Sequence, residues 1–182
     1  MRFLTFIFFI ISSYYTMAQT EEQKFKVIKD IESVQIREYD PVIYASVTST
    51  ENNNNLFRIL AGYIFGGNDN NQKIAMTAPV HMQETKEQSF TMKFVMPSKY
   101  SIDDLSTPND SRIKMEKVDK KKYAAISYSG YNNQSKFIIH FNKLVKILDK
   151  NKISYFGKPI YLGYDAPYKF WGRKNEVLIE LN

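Results

Sequence analysis

The sequence predicts an α+β fold, in which two main helices pack on an antiparallel sheet that curls into a distorted, open β-barrel. Short segments with alternating apolar side chains are separated by turn residues, and only two segments repeat apolar residues at helical spacing. The order strand, strand, helix, strand, strand occurs twice, in repeats of about residues 24–96 and 112–181. Such a duplication predicts one body with internal pseudo-symmetry.

The N-terminal segment differs in composition from the rest of the chain. Residues 1–18 combine Arg2, a short apolar run and Ala18, which predicts a secretory signal peptide cleaved after Ala18. The apolar run is shorter than the roughly 20 residues that a membrane-spanning helix needs, although retention of this segment as an anchor stays open. Residues 19–182 are then expected to form one exported domain, periplasmic or secreted, with no stable membrane span.

The predicted domain contains no cysteine, so an exported form has to rely on packing instead of disulfides. The whole chain has 13 Tyr and 13 Phe residues, and most of them lie in this domain and can supply that packing. The net charge of +6 is spread along the chain, and Lys120–Lys122 is the single basic run. No nucleic-acid recognition motif accompanies this run, so we interpret it as solvated and expect no nucleic-acid partner.

The first repeat begins after a polar lead-in. Alternating side chains on either side of the Asp40-Pro41 turn predict an antiparallel hairpin. A helix follows, with Leu56, Leu60, Tyr63 and Ile64 on one face, and glycines at 66 and 67 end it. The predicted strands of this repeat are Val34–Tyr39, Val42–Thr48, Ile74–Val80 and Phe90–Met96.

The second repeat has the same order of elements. Ser135 is predicted to cap a helix whose apolar face begins at Phe137 and continues to Leu148. The two strands before this helix are expected to pair with each other. The predicted strands are Ile113–Val118, Tyr123–Tyr128, Ile160–Tyr164 and Asn175–Leu181.

Several classes of catalytic site are disfavoured by the residues present. A thiol mechanism requires a cysteine, and neither Gly-x-Ser-x-Gly nor a phosphate-binding loop occurs. The two histidines, His81 and His140, have no partner at zinc-ligand spacing. We interpret His140 as a hydrogen-bonded packing residue and His81 as solvated at a strand end, with only a weak prospect of ligating a metal.

Three ordered stretches resemble the SOUL haem-binding protein family: "KIAMTAPV" at residues 73–80, "FTMKFVMPSKY" at 90–100 and "LGYDAPYKFWGRKNEVLIEL" at 162–181. The resemblance runs from about Val34 to Leu181 and, with the export signal, indicates an exported bacterial member. It implies a distorted β-barrel of two repeats with two helices. It also implies that haem, or another tetrapyrrole, binds in a shallow apolar groove between the first helix and the sheet, in a carrier, buffer or scavenger.

The candidate residues for this groove combine the apolar face of the first helix with the motif residues. Methionines suit either a core or an adaptable wall for a flat ligand, and nearby cations suit propionates. Where the family has its proposed axial histidine, this sequence has none, so the haem is expected to be held weakly without a protein ligand. The candidates are Leu56, Arg58, Leu60, Tyr63, Lys73, Ile74, Met76, Met92, Trp171 and Arg173.

Two alternatives to haem binding stay open, and so does the question of enzymatic activity. The expected fold is shared with gyrase-inhibitor-like domains, some of which resemble hydrolases, and Glu176 near Trp171 and Tyr63 is then a candidate general acid or base with a pKa raised by burial. A Glu176 paired with a cation would instead favour a structural role. In the other alternative, the same groove receives a partner protein.

Overall fold

The computed structural model describes residues 20–50, 54–85 and 89–182. The signal peptide predicted for residues 1–18 lies outside these ranges. Within them, no helix is both long and apolar enough to cross a membrane.

The described residues form two α-helices, eleven strands and a short 3₁₀ turn at Ile102–Asp104. Helix α1 comprises Asn54–Ile64, and helix α2 comprises Gln134–Lys150. The strands are β1 (Glu21–Glu22), β2 (Phe25–Ile31), β3 (Val34–Tyr39), β4 (Val42–Ser49), β5 (Thr77–Ala78), β6 (Val80–Glu84), β7 (Phe90–Val95), β8 (Lys114–Val118), β9 (Lys121–Ser129), β10 (Tyr155–Gly163) and β11 (Lys174–Leu181).

Nine of these strands form one antiparallel sheet in the order β2-β3-β9-β11-β10-β6-β7-β4-β8, while β1 and β5 pair separately and in parallel. Helix α1 packs on β4 and β7, and α2 packs on β9, β10 and β11. The sheet curls into an open half-barrel, which confirms the predicted α+β class and its two helices on antiparallel sheet.

Without the edge strand β2, the strand order is symmetric about the β6–β10 pair. Strands β3 and β8, which then come first in their repeats, each pair in the other half of the sheet. Strand β3 pairs with β2 and β9, whereas β4 pairs with β7 and β8. The hairpin predicted for β3 and β4 was therefore wrong, and β8 and β9 do not pair with each other either. Local alternation predicts that a strand exists, but it does not select the strand's partner.

The segment around "KIAMTAPV" also differs from the prediction. Only Thr77–Ala78 is extended with a partner strand, and the next strand begins at Val80, after a cis Ala78-Pro79 peptide bond. The N–H of Ile74 donates to the carbonyl of Ile64 at 2.9 Å, and Thr77 Oγ1 donates to the carbonyl of Val95 at 2.6 Å. These bonds attach the segment to the end of α1 and the end of β7 without a continuous ladder.

The sequence analysis missed one strand and misplaced the start of one helix. The polar lead-in contains strand β2, whose side chains are mostly exposed and so lack the alternation that marks a half-buried strand. Helix α2 begins two residues earlier than a cap at Ser135 predicts, because Asn133 is the cap and its Oδ1 accepts the N–H of Lys136 at 2.9 Å.

Both helices cover the same face of the sheet and form two separate cores there. The first core joins α1 to β4 and β7, and the second core joins α2 to β3, β9 and β11. Met82 and Tyr161 are register partners where the two halves of the sheet meet; Met82 packs against the first core and Tyr161 against the second. We call the opposite side of the sheet the helix-free face.

Candidate functional site

The apolar face of α1 lies in the first core. Leu56, Leu60 and Tyr63 are at most 2% exposed, and Tyr63 donates its hydroxyl to the carbonyl of Ser106 at 2.9 Å. Arg58 lies on the exposed side of the helix. The apolar face of α1 thus packs on the sheet, and the three residues are placed beneath the surface, not along an open groove.

The other apolar candidates divide between core and surface. Ile74 and Met92 are buried in the first core, whereas Met76 is half-buried against it. Lys73 is exposed and makes no ion pair with any described residue. Of the predicted site residues in the "KIAMTAPV" stretch, Met76 and Lys73 are therefore those that a ligand can reach.

Four of the predicted residues lie on two segments that leave the sheet at the same end. Gly163, at the end of β10, is the register partner of Val80, at the start of β6. The segments 73–79 and 164–173 continue from these two residues and leave the sheet at the same end. We call them together the sheet end; its predicted members are Lys73, Met76, Trp171 and Arg173.

The loop of the sheet end exposes three aromatic side chains. Tyr168 is 79% exposed, Phe170 73% and Trp171 87%. Phe65, which follows the last residue of α1, is 72% exposed. The sequence analysis identified Trp171 as a candidate but missed the other three. The signal that could have identified them is a turn sequence with several aromatic residues beside it. Large apolar side chains grouped at the surface commonly mark a binding site.

Arg173 holds this loop in shape from inside. Its Nη1 donates to the carbonyl oxygens of Ala166 at 2.8 Å and Lys169 at 3.0 Å, and its guanidinium lies 4.8 Å from the ring centre of Tyr131. Asp165 Oδ2 accepts the N–H of Lys174 at 2.6 Å. Arg173 is therefore occupied as a brace of the loop, while the aromatic side chains point outward.

Glu176 lies on the helix-free face, is fully buried and is completely paired. Arg37 donates to its two carboxylate oxygens at 2.8 and 3.0 Å, Ser127 Oγ donates to one oxygen at 2.7 Å and Tyr164 donates to the other at 2.6 Å. Arg37 is 4% exposed and also bonds Gln35 and Tyr39. Trp171 and Tyr63 are not among the hydrogen-bonding partners of Glu176.

The ion pair reverses the direction of the pKa shift expected for Glu176. Burial alone would raise the pKa of this carboxyl, but the hydrogen bonds and charge of Arg37, together with the Tyr164 and Ser127 hydroxyls, outweigh it and lower the pKa. The predicted raised pKa was wrong. A carboxylate held ionised by a cation and hydroxyls fits the structural role.

The two histidines occupy separate structural positions. His81 is 7% exposed within β6, so its predicted solvation was wrong, and its Nε2 bonds Gln23 Oε1 at 2.8 Å. Burial, with a smaller contribution from Lys93, lowers the pKa of His81 to about 3. His140 bonds the carbonyl of Lys136 and stacks 4.2 Å from the ring of Tyr128, as expected of a packing residue. The described residues contain no cluster of three metal-ligating side chains.

The fold and this site define a class of α+β half-barrel, built from two repeats with exchanged first strands and a helix on each half. The sequence profile of the SOUL heme-binding protein family matches residues 20–180. The chain belongs to the SOUL family.

Relatives in this family align at low identity. Heme-binding protein 2 from Mus musculus is 28% identical over 179 residues, covering 89% of this chain and 87% of that protein. The Homo sapiens Heme-binding protein 2 is 29% identical over 163 residues, covering 82% and 79%. The match to Heme-binding protein 1 from Xenopus tropicalis, at 27% identity, spans 65% of each chain, which is less than two thirds of that relative.

Solved structures share the fold at lower identity still. The C-terminal domain of EcmrR superposes with a TM-score of 0.61 at 10% identity and covers 82% of this chain and 96% of that domain. A hydrolase from Listeria innocua superposes with a TM-score of 0.60 at 7% identity, covering 85% and 94%. At these identities the likeness shows the fold alone.

Proposed function

We propose that the protein binds haem or a related tetrapyrrole at the sheet end. The observation that carries the proposal is the braced loop 164–173, which presents Tyr168, Phe170 and Trp171 to solvent. Membership of the SOUL family and relatives named as heme-binding proteins support the ligand. The exposed Lys73 supplies a cation for a propionate at the same end of the sheet.

The binding energy in this proposal comes mainly from the faces of the ring. Burying about 300–500 Å² of apolar surface contributes on the order of 8–12 kcal/mol before association costs. A micromolar complex needs about 8 kcal/mol. Once association costs are subtracted, burial of the ring faces alone is borderline for micromolar binding, so a cation near a propionate adds needed affinity. A loop that is already ordered loses little entropy on binding and keeps these costs low.

The proposal does not use a histidine on the iron. His81 lies on β6, its Nε2 is occupied by Gln23, and it is not part of the sheet end. His140 lies in α2 and is stacked on Tyr128. The macrocycle would then be recognised by its faces and edge alone, which predicts weak binding and rapid exchange of the haem. Such binding suits a carrier or scavenger. Together with the export signal predicted from the sequence, this leads us to propose an exported haem carrier.

Titration of residues 19–182 with haemin tests the proposal. Trp171 is the single tryptophan of the chain, so quenching of its fluorescence reports on the proposed site directly. We expect saturable one-to-one quenching and a matching Soret change with a dissociation constant of roughly 1–10 µM. Phe170→Ala combined with Trp171→Ala should weaken the Soret-detected binding about tenfold or more, because stacking area is lost.

Two control variants separate this site from other positions. Ile139→Ala removes an exposed apolar side chain from α2, and His81→Gln removes the buried histidine, so neither should change the affinity for haemin. Unchanged binding in the Phe170/Trp171 double variant, or loss of binding in His81→Gln with the fold intact, would overturn the assignment. For the carrier role, the complex should release haem to excess apomyoglobin within minutes; retention for hours would contradict it.

A further inference from the structure

A second cavity lies on the helix-free face, away from the sheet end. It has a volume of about 200 Å³ and is lined by both repeats, with Tyr44, His81 and Lys93 from the first and Lys121, Tyr123 and Ile160 from the second. No residue of the segments 73–79 or 164–173 lines it. It is therefore independent of the proposed haem site.

The hydrogen bonds around His81 fix its tautomer. Gln23 Nε2 donates to the Tyr44 hydroxyl at 2.9 Å, so the other amide atom of Gln23, Oε1, is the acceptor for His81 Nε2–H. The imidazole is neutral at physiological pH, because burial and Lys93 lower its pKa to about 3. Nδ1 of His81 consequently carries a lone pair and acts as an acceptor.

This lone pair belongs to a residue that lines the cavity. Nδ1 of His81 has no hydrogen-bond partner among the described residues, yet it is not among the described buried atoms that lack one. It therefore touches accessible space, and His81 lines this cavity. The Tyr123 hydroxyl likewise has no hydrogen-bond partner among the described residues, while the Tyr123 ring packs on Tyr39. His81 and Tyr123 thus bring an acceptor and a hydroxyl group to the lining of one cavity.

The charges around the cavity are balanced. Lys93 Nζ lies 2.8 Å from Glu116, and Lys121 Nζ lies 2.6 Å from Glu180. An anionic or cationic ligand would have to compete with one of these pairs and pay for its own desolvation. Ile160 and Val118 add apolar walls, and the Tyr44 and Tyr123 rings add aromatic ones. This lining suits an uncharged molecule with one polar edge and an apolar body.

We propose that this cavity binds a small, uncharged, single-ring molecule that donates an O–H or N–H to His81 Nδ1 and accepts from the Tyr123 hydroxyl. The volume of about 200 Å³ is of the size that one ring needs, since a cavity of about 150 Å³ holds benzene. A tetrapyrrole is far too large for it. The protein then carries two sites, one for a flat macrocycle at the sheet end and one for a small ring on the helix-free face.

Titration with 4-hydroxybenzamide, followed by ¹⁵N–¹H spectra of the protein, tests the proposal. We expect saturable shifts of residues in β6, β7 and β10, a shift of the His81 Nδ1 resonance, and a dissociation constant of roughly 100 µM. Toluene, which has the ring but no hydrogen-bonding group, should bind at least tenfold more weakly. Comparable binding of toluene would contradict recognition by His81 and Tyr123.

Variants locate the site. Tyr123→Phe should weaken 4-hydroxybenzamide about five- to tenfold by removing one hydroxyl, and Ile160→Trp should abolish binding by filling the cavity. Tyr155→Phe makes the same change beside the second core, on the other face, and should have no effect. All three variants should keep the haemin affinity, so failure here is distinguishable from failure of haem binding. No saturable shift up to 10 mM, or binding unchanged in both cavity variants, overturns the proposal.

Discussion

At the scale of single residues, the structure depends on how buried charge is satisfied. The Glu176 carboxylate is fully buried, and each of its oxygens accepts two hydrogen bonds. Arg37 also stacks on Phe25 at 4.2 Å, which limits the exposure of its guanidinium. A pair of this kind contributes little net stability relative to an apolar pair, but either member alone is strongly unfavourable.

Replacing Arg37 by Met should therefore lower the free energy of unfolding by about 3–5 kcal/mol, because Glu176 is left buried without its cation. Urea denaturation followed by circular dichroism measures this. The double variant Arg37→Met, Glu176→Leu should recover part of the loss. Lys150→Met breaks the exposed pair with Glu32 and should give no measurable change. A loss below about 1 kcal/mol in Arg37→Met would show that the pair does not hold the carboxylate in place.

At the scale of elements, the two helices are held mainly by packing, and their ends are decided by local hydrogen bonds. Leu144, Ile147 and Leu148 are the buried residues of α2, and they belong to the second core. The helix begins where Asn133 caps it, with an extended backbone and a side chain that accepts the N–H of Lys136. The sequence analysis predicted Ser135 as the cap, because serine and asparagine are both favoured at the N-cap position of a helix.

Asn133→Ala should lower the free energy of unfolding by about 1 kcal/mol, because one N–H in the first turn of α2 loses its partner. Asn133→Asp keeps an acceptor and should retain most of the stability. Ser135→Ala is the matched control and should be nearly neutral, since Ser135 is exposed within the first turn. Equilibrium unfolding in urea compares the three variants, and a larger loss in Ser135→Ala than in Asn133→Ala would contradict the observed cap.

At the scale of the whole molecule, the exchange of first strands ties the two repeats into one folding unit. Strand β3 pairs on one side with β9 of the second repeat, and β8 pairs only with β4 of the first. The repeats also join at the β6–β10 pair. Neither repeat can complete its half of the sheet alone, because a strand and its ladder of hydrogen bonds would be missing.

Fragments 20–111 and 112–182 should consequently lack a cooperative unfolding transition when each is produced alone. Thermal unfolding by near-ultraviolet circular dichroism, with residues 20–182 as the control, tests this. Mixing the two fragments should restore part of the transition, since the missing strands are then supplied in trans. A sharp transition in either isolated fragment would show that the repeats are independent domains.

The sequence by itself determined the α+β class, the duplication and most of the elements, because alternation and helical spacing are local consequences of burying one face. It also identified the motifs at the sheet end, including Trp171. It did not show whether the apolar face of α1 lies in a core or lines a groove. A leucine such as Leu60 has the same helical spacing in both cases.

Tertiary structure alone decided which strands pair, where the charged groups meet and what stays exposed. Arg37 and Glu176 are 139 residues apart in sequence, and no local pattern joins them. The hairpin that the sequence predicted for β3 and β4 is replaced by pairings with β9, β7 and β8. The physical reason is that pairing and burial depend on the free energy of the whole sheet, to which distant residues contribute as much as neighbours do.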